Sequence, residues 1–251
     1  MSRLPEKVAF ITGAGAGIAK ATALAFAREG AKVALAEINT ELGRATEKQI
    51  RDAGGEAIYY ETDVTQDESV KRAIDAAAAR YGRLDILMNC AGGSLVEDVP
   101  VHKMDLGVFE RTIALNLRHP FLCCRHGIPH MIASGGGSII NFSTWLALIG
   151  QEKPVYAAAK GGVIAFTRSL AREAAEATNQ RGVLLDDRER LVERHRGPVG
   201  RIDLGAVGEE RDSAPGARLV GPRAKPFDEN PRVVRPNPSV DRGSSFDGSR
   251  L

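Results

Sequence analysis

A hydroxyl at Ser143, a phenol at Tyr156 thirteen residues on, and an ammonium at Lys160 four residues later make a set able to move a proton. Tyr156 and Lys160 stand i and i+4, so on a helix they share one face a turn apart. A phenol titrates near about 10, too high for a base at neutral pH. A neighbouring ammonium and a positively charged nicotinamide ring favour the phenolate and bring that value down. Such a tyrosine takes the proton of an alcohol or returns one to a forming alkoxide. A hydroxyl such as Ser143 then steadies the charge on that oxygen. An isolated Tyr-x-x-x-Lys pair is ordinary helix surface, but here a second device precedes it. Thr12-Gly13-Ala14-Gly15-Ala16-Gly17-Ile18-Ala19 is a glycine-rich turn between a strand-like run and helical spacing. Glycines there let the backbone approach a pyrophosphate, and the helix start offers unpaired N–H groups and a positive dipole end. Together the two devices predict hydride transfer between a nicotinamide dinucleotide and an alcohol or carbonyl carbon.

Thr12, Gly13, Gly15, Gly17 and Ile18 are the candidate cofactor residues of the turn. Glu37 ends the second strand some twenty residues later, where a carboxylate accepts both ribose hydroxyls of NAD and repels the extra phosphate of NADP. The alternative is a solvated strand-end glutamate. Neither Ile38 nor Asn39 is basic, nor is Ala16 before Gly17, so NAD is favoured over NADP. Asp63, beside Val64 after the third strand, is placed to meet the adenine edge or to cap the following helix. Asn89, Ala91 and Gly92 close the fourth strand at the carboxyl edge of the sheet, where open α/β proteins bind ligands. Trp145 faces the substrate or covers a loop, and residues 144–155 form the legible part of the substrate wall.

The elements that must position these residues alternate between strand and helix. Val8–Ile11 is an apolar run suited to a strand buried on both faces. Helical spacing from Ile18 to Arg28 is stopped by Gly30. Strands follow at Lys32–Glu37, Ala57–Tyr60, Leu84–Asn89 and Ser138–Phe142, with helices at Glu41–Asp52, Glu68–Tyr81 and Tyr156–Ala177. A long helical stretch from Asp105 to Ala133 is expected to be kinked or interrupted by Pro120 and Pro129. Such alternation predicts an α/β, doubly wound parallel sheet of Rossmann type, flanked by helices in three layers.

The 251 residues, 26.9 kDa and net charge of +2 bound the rest. They suit an α/β domain of ordinary size and give no reason to expect nucleic acid or a membrane as partner. No apolar run reaches the roughly 18 residues that cross a bilayer, and Met1–Lys7 is unlike a signal peptide. Cys90, Cys123 and Cys124 are too few for a disulfide framework, so a reduced, cytoplasmic setting is expected. His126 and His130 are spaced i, i+4 with no third ligand in view, and no metal site is expected.

On these motifs, residues 7–177 resemble the short-chain dehydrogenase/reductase family. The family's Thr-Gly-x-x-x-Gly-x-Gly turn matches Thr12 to Ala19, except that Ala19 replaces the last glycine. Its Asn-Asn-Ala-Gly segment appears as Asn89-Cys90-Ala91-Gly92. The resemblance implies that Ser143, Tyr156 and Lys160 are catalytic. It also implies that Asn116, in Ala114-Leu115-Asn116-Leu117, links the lysine to solvent through a water. Dimerisation through the two long helices, near Asp105–Ala133 and Tyr156–Ala177, is expected on the same ground. So are small-molecule alcohol or carbonyl substrates, among them 3-oxoacyl thioesters, sugars and polyols.

Beyond residue 177 the likeness stops. Residues 181–251 hold 13 of the 25 arginines and 7 of the 12 prolines but one lysine, Lys225, and two aromatics, Phe227 and Phe246. Such a segment buries too little apolar surface to offset its ordering entropy, so residues 178–251 are expected to be irregular. The family's sixth and seventh strands are not legible there, although Gly182-Val183-Leu184-Leu185 suits a strand fragment. The composition fits a GC-rich gene read out of the ancestral frame, or a diverged tail. The expected organisation is therefore a cofactor-binding domain over residues 1–177 and an atypical tail. The leading function is an oxidoreductase acting on a secondary alcohol or ketone. The alternative is a catalytically impaired nucleotide-binding or assembly module.

Overall fold

The computed structural model describes residues 2–149 and 152–178. The expectations for the tail, for the missing sixth and seventh strands and for Gly182–Leu185 fall outside the described residues. Within them, five short strands form one parallel sheet: Val8–Thr12 (β1), Lys32–Glu37 (β2), Glu56–Glu61 (β3), Ile86–Asn89 (β4) and Ser138–Asn141 (β5). Their order is β3-β2-β1-β4-β5, with Phe10 opposite both Ala34 and Leu87 in the register. The chain walks outward from β1 to β3 and returns to β4, so the strand order reverses between β1 and β4. In such sheets the crevice at the carboxyl ends of those two strands is where ligands bind.

All five residues of β1 and all four of β4 are buried, which is why these strands read as unbroken apolar runs rather than alternating ones. Phe10, Val8, Leu84, Leu87 and Ile74 anchor the core, and each buried side chain of this size contributes about 2–3 kcal/mol.

Helices Gly17–Arg28 (α1), Thr40–Asp52 (α2), Asp67–Tyr81 (α3), Leu106–Ile113 (α4), His119–Ala133 (α5), Leu146–Ile149 (α6) and Pro154–Thr178 (α7) flank the sheet. Among the described helices none is long and apolar enough to cross a membrane.

The long helical stretch is interrupted next to Pro120 but not at Pro129. A π-helical turn at Ala114–Arg118 separates α4 from α5. Within it Asn116, fully buried, donates through Nδ2 to the Thr112 carbonyl four residues back at 3.0 Å. The side chain thus takes the carbonyl that the regular helix ladder would use, and the helix widens locally. Pro120 follows that turn directly, with no N–H for the residue 116 carbonyl and a ring that crowds it, while α5 runs on through Pro129. His126 and His130 consequently share a face of α5, where each pairs with an aspartate of α3. His126 Nε2 lies 2.6 Å from Asp67 and His130 Nε2 lies 2.7 Å from Asp75.

Candidate active site

The glycine turn leaves β1 at the switch point. Positive φ angles at Gly13 and Gly17, 71° and 56°, fold the chain back between strand and helix. Helix α1 begins without a side-chain cap at Ala16 and without an acidic residue in its first turn. By contrast, α2 and α4 are capped by the side chains of Asn39 and Asp105. The start of α1 therefore keeps main-chain donors and a positive dipole end for an anion.

Glu37 stands against this turn. Its Oε2 accepts the Gly15 N–H and its Oε1 accepts the Asn39 N–H, both at 3.0 Å. A Cβ on residue 15 would lie 2.9 Å from that carboxylate oxygen and 2.8 Å from Leu42 Cβ, so only glycine admits the close approach. Ile18 is 62% exposed beside it. Asp63 spends one carboxylate oxygen on the N–H and hydroxyl of Thr65, at 2.9 and 2.7 Å, which shapes the turn before α3. The cap of α3 is Gln66 rather than Asp63. The Val64 side chain packs into the core.

The turn is tied to the end of β4 by Thr12. Its Oγ1 accepts the N–H groups of Cys90 and Ala91, at 3.0 and 3.1 Å, and lies 3.0 Å from His119 Nε2. The same hydroxyl lies 3.4 Å from the Met88 carbonyl, and His119 Nδ1 is buried with no hydrogen-bond partner among the described residues. Burial, with the Lys160 charge as a smaller cause, pulls the His119 pKa down to about 3. Asn89 Nδ2 meanwhile donates to Asn141 Oδ1 at 2.8 Å, which joins the ends of β4 and β5.

Lys160 is 5% exposed, and its Nζ donates to the Phe142 carbonyl at 3.0 Å. The residue after Phe142 is Ser143, whose hydroxyl donates to the Lys160 carbonyl at 2.8 Å rather than standing free. Lys160 Nζ also lies 5.9 Å from the centre of the Tyr156 ring. Gly92 packs between Lys160 and Asn116: a Cβ there would fall 3.2 Å from Lys160 Nζ and 2.8 Å from Asn116 Oδ1. Asn116 holds Gly93 from both sides, accepting its N–H and donating to its carbonyl, each at 3.0 Å. The glycine turn, Ala91–Gly93, Asn116, Ser143, Tyr156 and Lys160 thus form one contiguous group at the carboxyl edge.

The electrostatics differ from the sequence reading in one respect. Burial raises the Tyr156 phenol above its ordinary value, and the expected lowering beside Lys160 is not seen. The ammonium is directed to the Phe142 carbonyl, and burial lowers its own pKa. Burial also pushes the Cys90 thiol up to about 11.

Two residues escaped the sequence reading. His119 carried no motif. Asp98 lies in the aperiodic segment after β4, and its Oδ2 accepts the Tyr156 N–H at 2.9 Å, a partner 58 residues away.

The short chain dehydrogenase profile matches residues 7–179. The chain belongs to that family. The chain is 40% identical over 167 residues to cis-4-hydroxycyclohexanecarboxylate dehydrogenase of Sinomonas cyclohexanicum, a match covering 66% of each chain. The chain therefore spans just under two thirds of that relative's length. Among solved structures, NAD+-bound xylitol dehydrogenase superposes with a TM-score of 0.67 at 32% identity, covering 69% of this chain and 67% of that one. A metagenomic short-chain oxidoreductase in complex with NADP gives 0.68 at 33% identity, covering 73% and 81%.

Proposed function

We propose that residues 1–177 bind a nicotinamide dinucleotide and transfer hydride between it and a secondary alcohol or the corresponding ketone, with NAD preferred to NADP. The residues fit the cofactor: α1 starts uncapped beside Gly13–Gly17, and Glu37 stands over Gly15 where a ribose would meet the turn. A carboxylate there accepts ribose hydroxyls and repels a 2′-phosphate, which supports the choice of NAD. The bound nicotinamide supplies the hydride acceptor or donor.

The protein's own work is proton transfer. In alcohol oxidation Tyr156 accepts the hydroxyl proton, and in ketone reduction it returns one. Lys160 favours the phenolate as its Nζ turns from the Phe142 carbonyl toward Tyr156. Ser143 turns its hydroxyl from the Lys160 carbonyl toward the substrate oxygen, and Asn116 holds the loop that walls Lys160 in. Assembly through α4, α5 and α7 belongs to the same proposal. It is supported by the exposed Phe109 and by Phe121, whose ring meets Phe166 at 6.1 Å.

The observation that carries this reading is Lys160: a buried ammonium with, among the described residues, a single carbonyl partner, one turn along α7 from Tyr156 and against Gly92. The test is NADH formation across cyclic, linear and polyhydroxylated alcohols. Tyr156→Phe should cut turnover by about 10³-fold while NAD binding persists. NAD binding without turnover on any substrate, unchanged by Tyr156→Phe, would select the binding-module alternative.

A further inference from the structure

Asp98 is 2% exposed, yet among the described residues no cation faces its carboxylate. It accepts main-chain N–H groups instead: that of Tyr156 at 2.9 Å and, more weakly, that of Val155 at 3.5 Å. These belong to the first turn of α7, whose N–H groups have no partner within the helix. A carboxylate at that position is favoured by the positive end of the helix dipole and by charge-assisted bonding.

A second tie lies one residue before α7. Lys153 has a φ of 122°, a conformation that a side-chain-bearing residue keeps only when its surroundings enforce it. Its ammonium donates to the Leu95 and Val96 carbonyls at 3.3 and 3.2 Å. At the other end of the same segment, Asn116 grips Gly93. Residues 93–98 are therefore a strap fastened to the π-helical turn at one end and to the start of α7 at the other.

We infer that Asp98 is a positioning residue for Tyr156: through the Tyr156 N–H it fixes the rotation and depth of the first turn of α7. Lys160, one turn later, is anchored separately by the Phe142 carbonyl and the Ser143 hydroxyl. The tyrosine end of the pair thus has its own anchor, and its release moves the phenol while leaving the ammonium in place. The catalytic consequence rests on the function proposed above; the clamp itself does not.

The full chain carrying Asp98→Ala or Asp98→Asn tests this through amide hydrogen exchange and steady-state kinetics. First-turn amides ordinarily exchange fast, so a clamped Tyr156 amide is protected in the wild type. In Asp98→Ala it should exchange about tenfold faster or more, with the amides from Ala159 onward unchanged. The kcat should fall by about tenfold or more, with NAD affinity kept within about twofold. Asp98→Asn, which retains a carbonyl acceptor, should recover most of both. Unchanged Tyr156 exchange in Asp98→Ala overturns the inference, and so does a kcat loss matched by an equal loss of NAD affinity. If Asp98→Ala fails to fold, Asp98→Glu carries the reading: altered exchange and kcat with NAD affinity retained support it, and wild-type behaviour in both overturns it. A wild type that turns over no alcohol removes the proposed function but leaves the exchange result to decide the clamp.

Discussion

The two ends of the sheet solve opposite electrostatic problems. At the amino end the buried carboxylate of Asp85 is saturated. Arg83 grips it from Nε and Nη2 at 2.7 and 2.6 Å, Lys7 donates at 3.0 Å, and the Val8 N–H at 3.0 Å. At the carboxyl end the buried ammonium of Lys160 has a carbonyl for partner, and the buried carboxylate of Asp98 has amides. A buried charge without an opposite charge raises the energy of the fold. One end thus pairs opposite charges, while at the other Asp98 is spent on the first turn of α7 and, among the described residues, Lys160 meets no carboxylate.

Lys160→Met breaks this contrast most sharply. It should lower turnover by about 10³-fold while leaving urea stability equal or higher, because a buried unpaired ammonium is removed. A large loss of stability would place Lys160 with Asp85 as a structural charge.

Asp85→Asn is the converse. It leaves Arg83 and Lys7 facing a neutral amide, and should cost about 3 kcal/mol at pH 7 by urea unfolding, with NAD affinity unchanged. The pH dependence has a definite sign. Burial raises the Asp85 pKa, but the Arg83, Val8 and Lys7 bonds outweigh it and the folded value is depressed. Its stabilisation is therefore fully present above the ordinary carboxylate range and is lost as pH falls through the folded value. The gap between wild type and Asp85→Asn should close below about pH 4.

His119→Ala probes the neutral seam between the two ends. It removes the buried imidazole that partners the Thr12 hydroxyl, and should cost about 2 kcal/mol with weaker NAD binding. The smallest effect is expected at the exposed face of α3 and α5. There His130→Ala removes a half-exposed partner of Asp75 and should change stability by about 0.5 kcal/mol.

What the sequence revealed divides along similar lines. β1, β2 and β4 were legible because strands buried on both faces leave continuous apolar runs. The glycine turn was legible because a backbone with no room for side chains dictates residue type. The break at Ala114–Arg118 was half legible: Pro120 stands beside it, while the bonds of Asn116 to Thr112 and the distant Gly93 leave no local pattern. Asp98 was invisible for the same reason: its meaning lies in a main-chain N–H across the fold, and no local pattern announces it. Asp63 left two readings open, and the structure shows a third use, the turn built with Thr65.

Gly92 leaves the lineage of this chain little liberty. Even a methyl at that point would press on the amide oxygen of Asn116 and the nitrogen of Lys160 together. A single mutation there cannot be absorbed by shifting one neighbour, so drift at this position would have to carry both head groups with it.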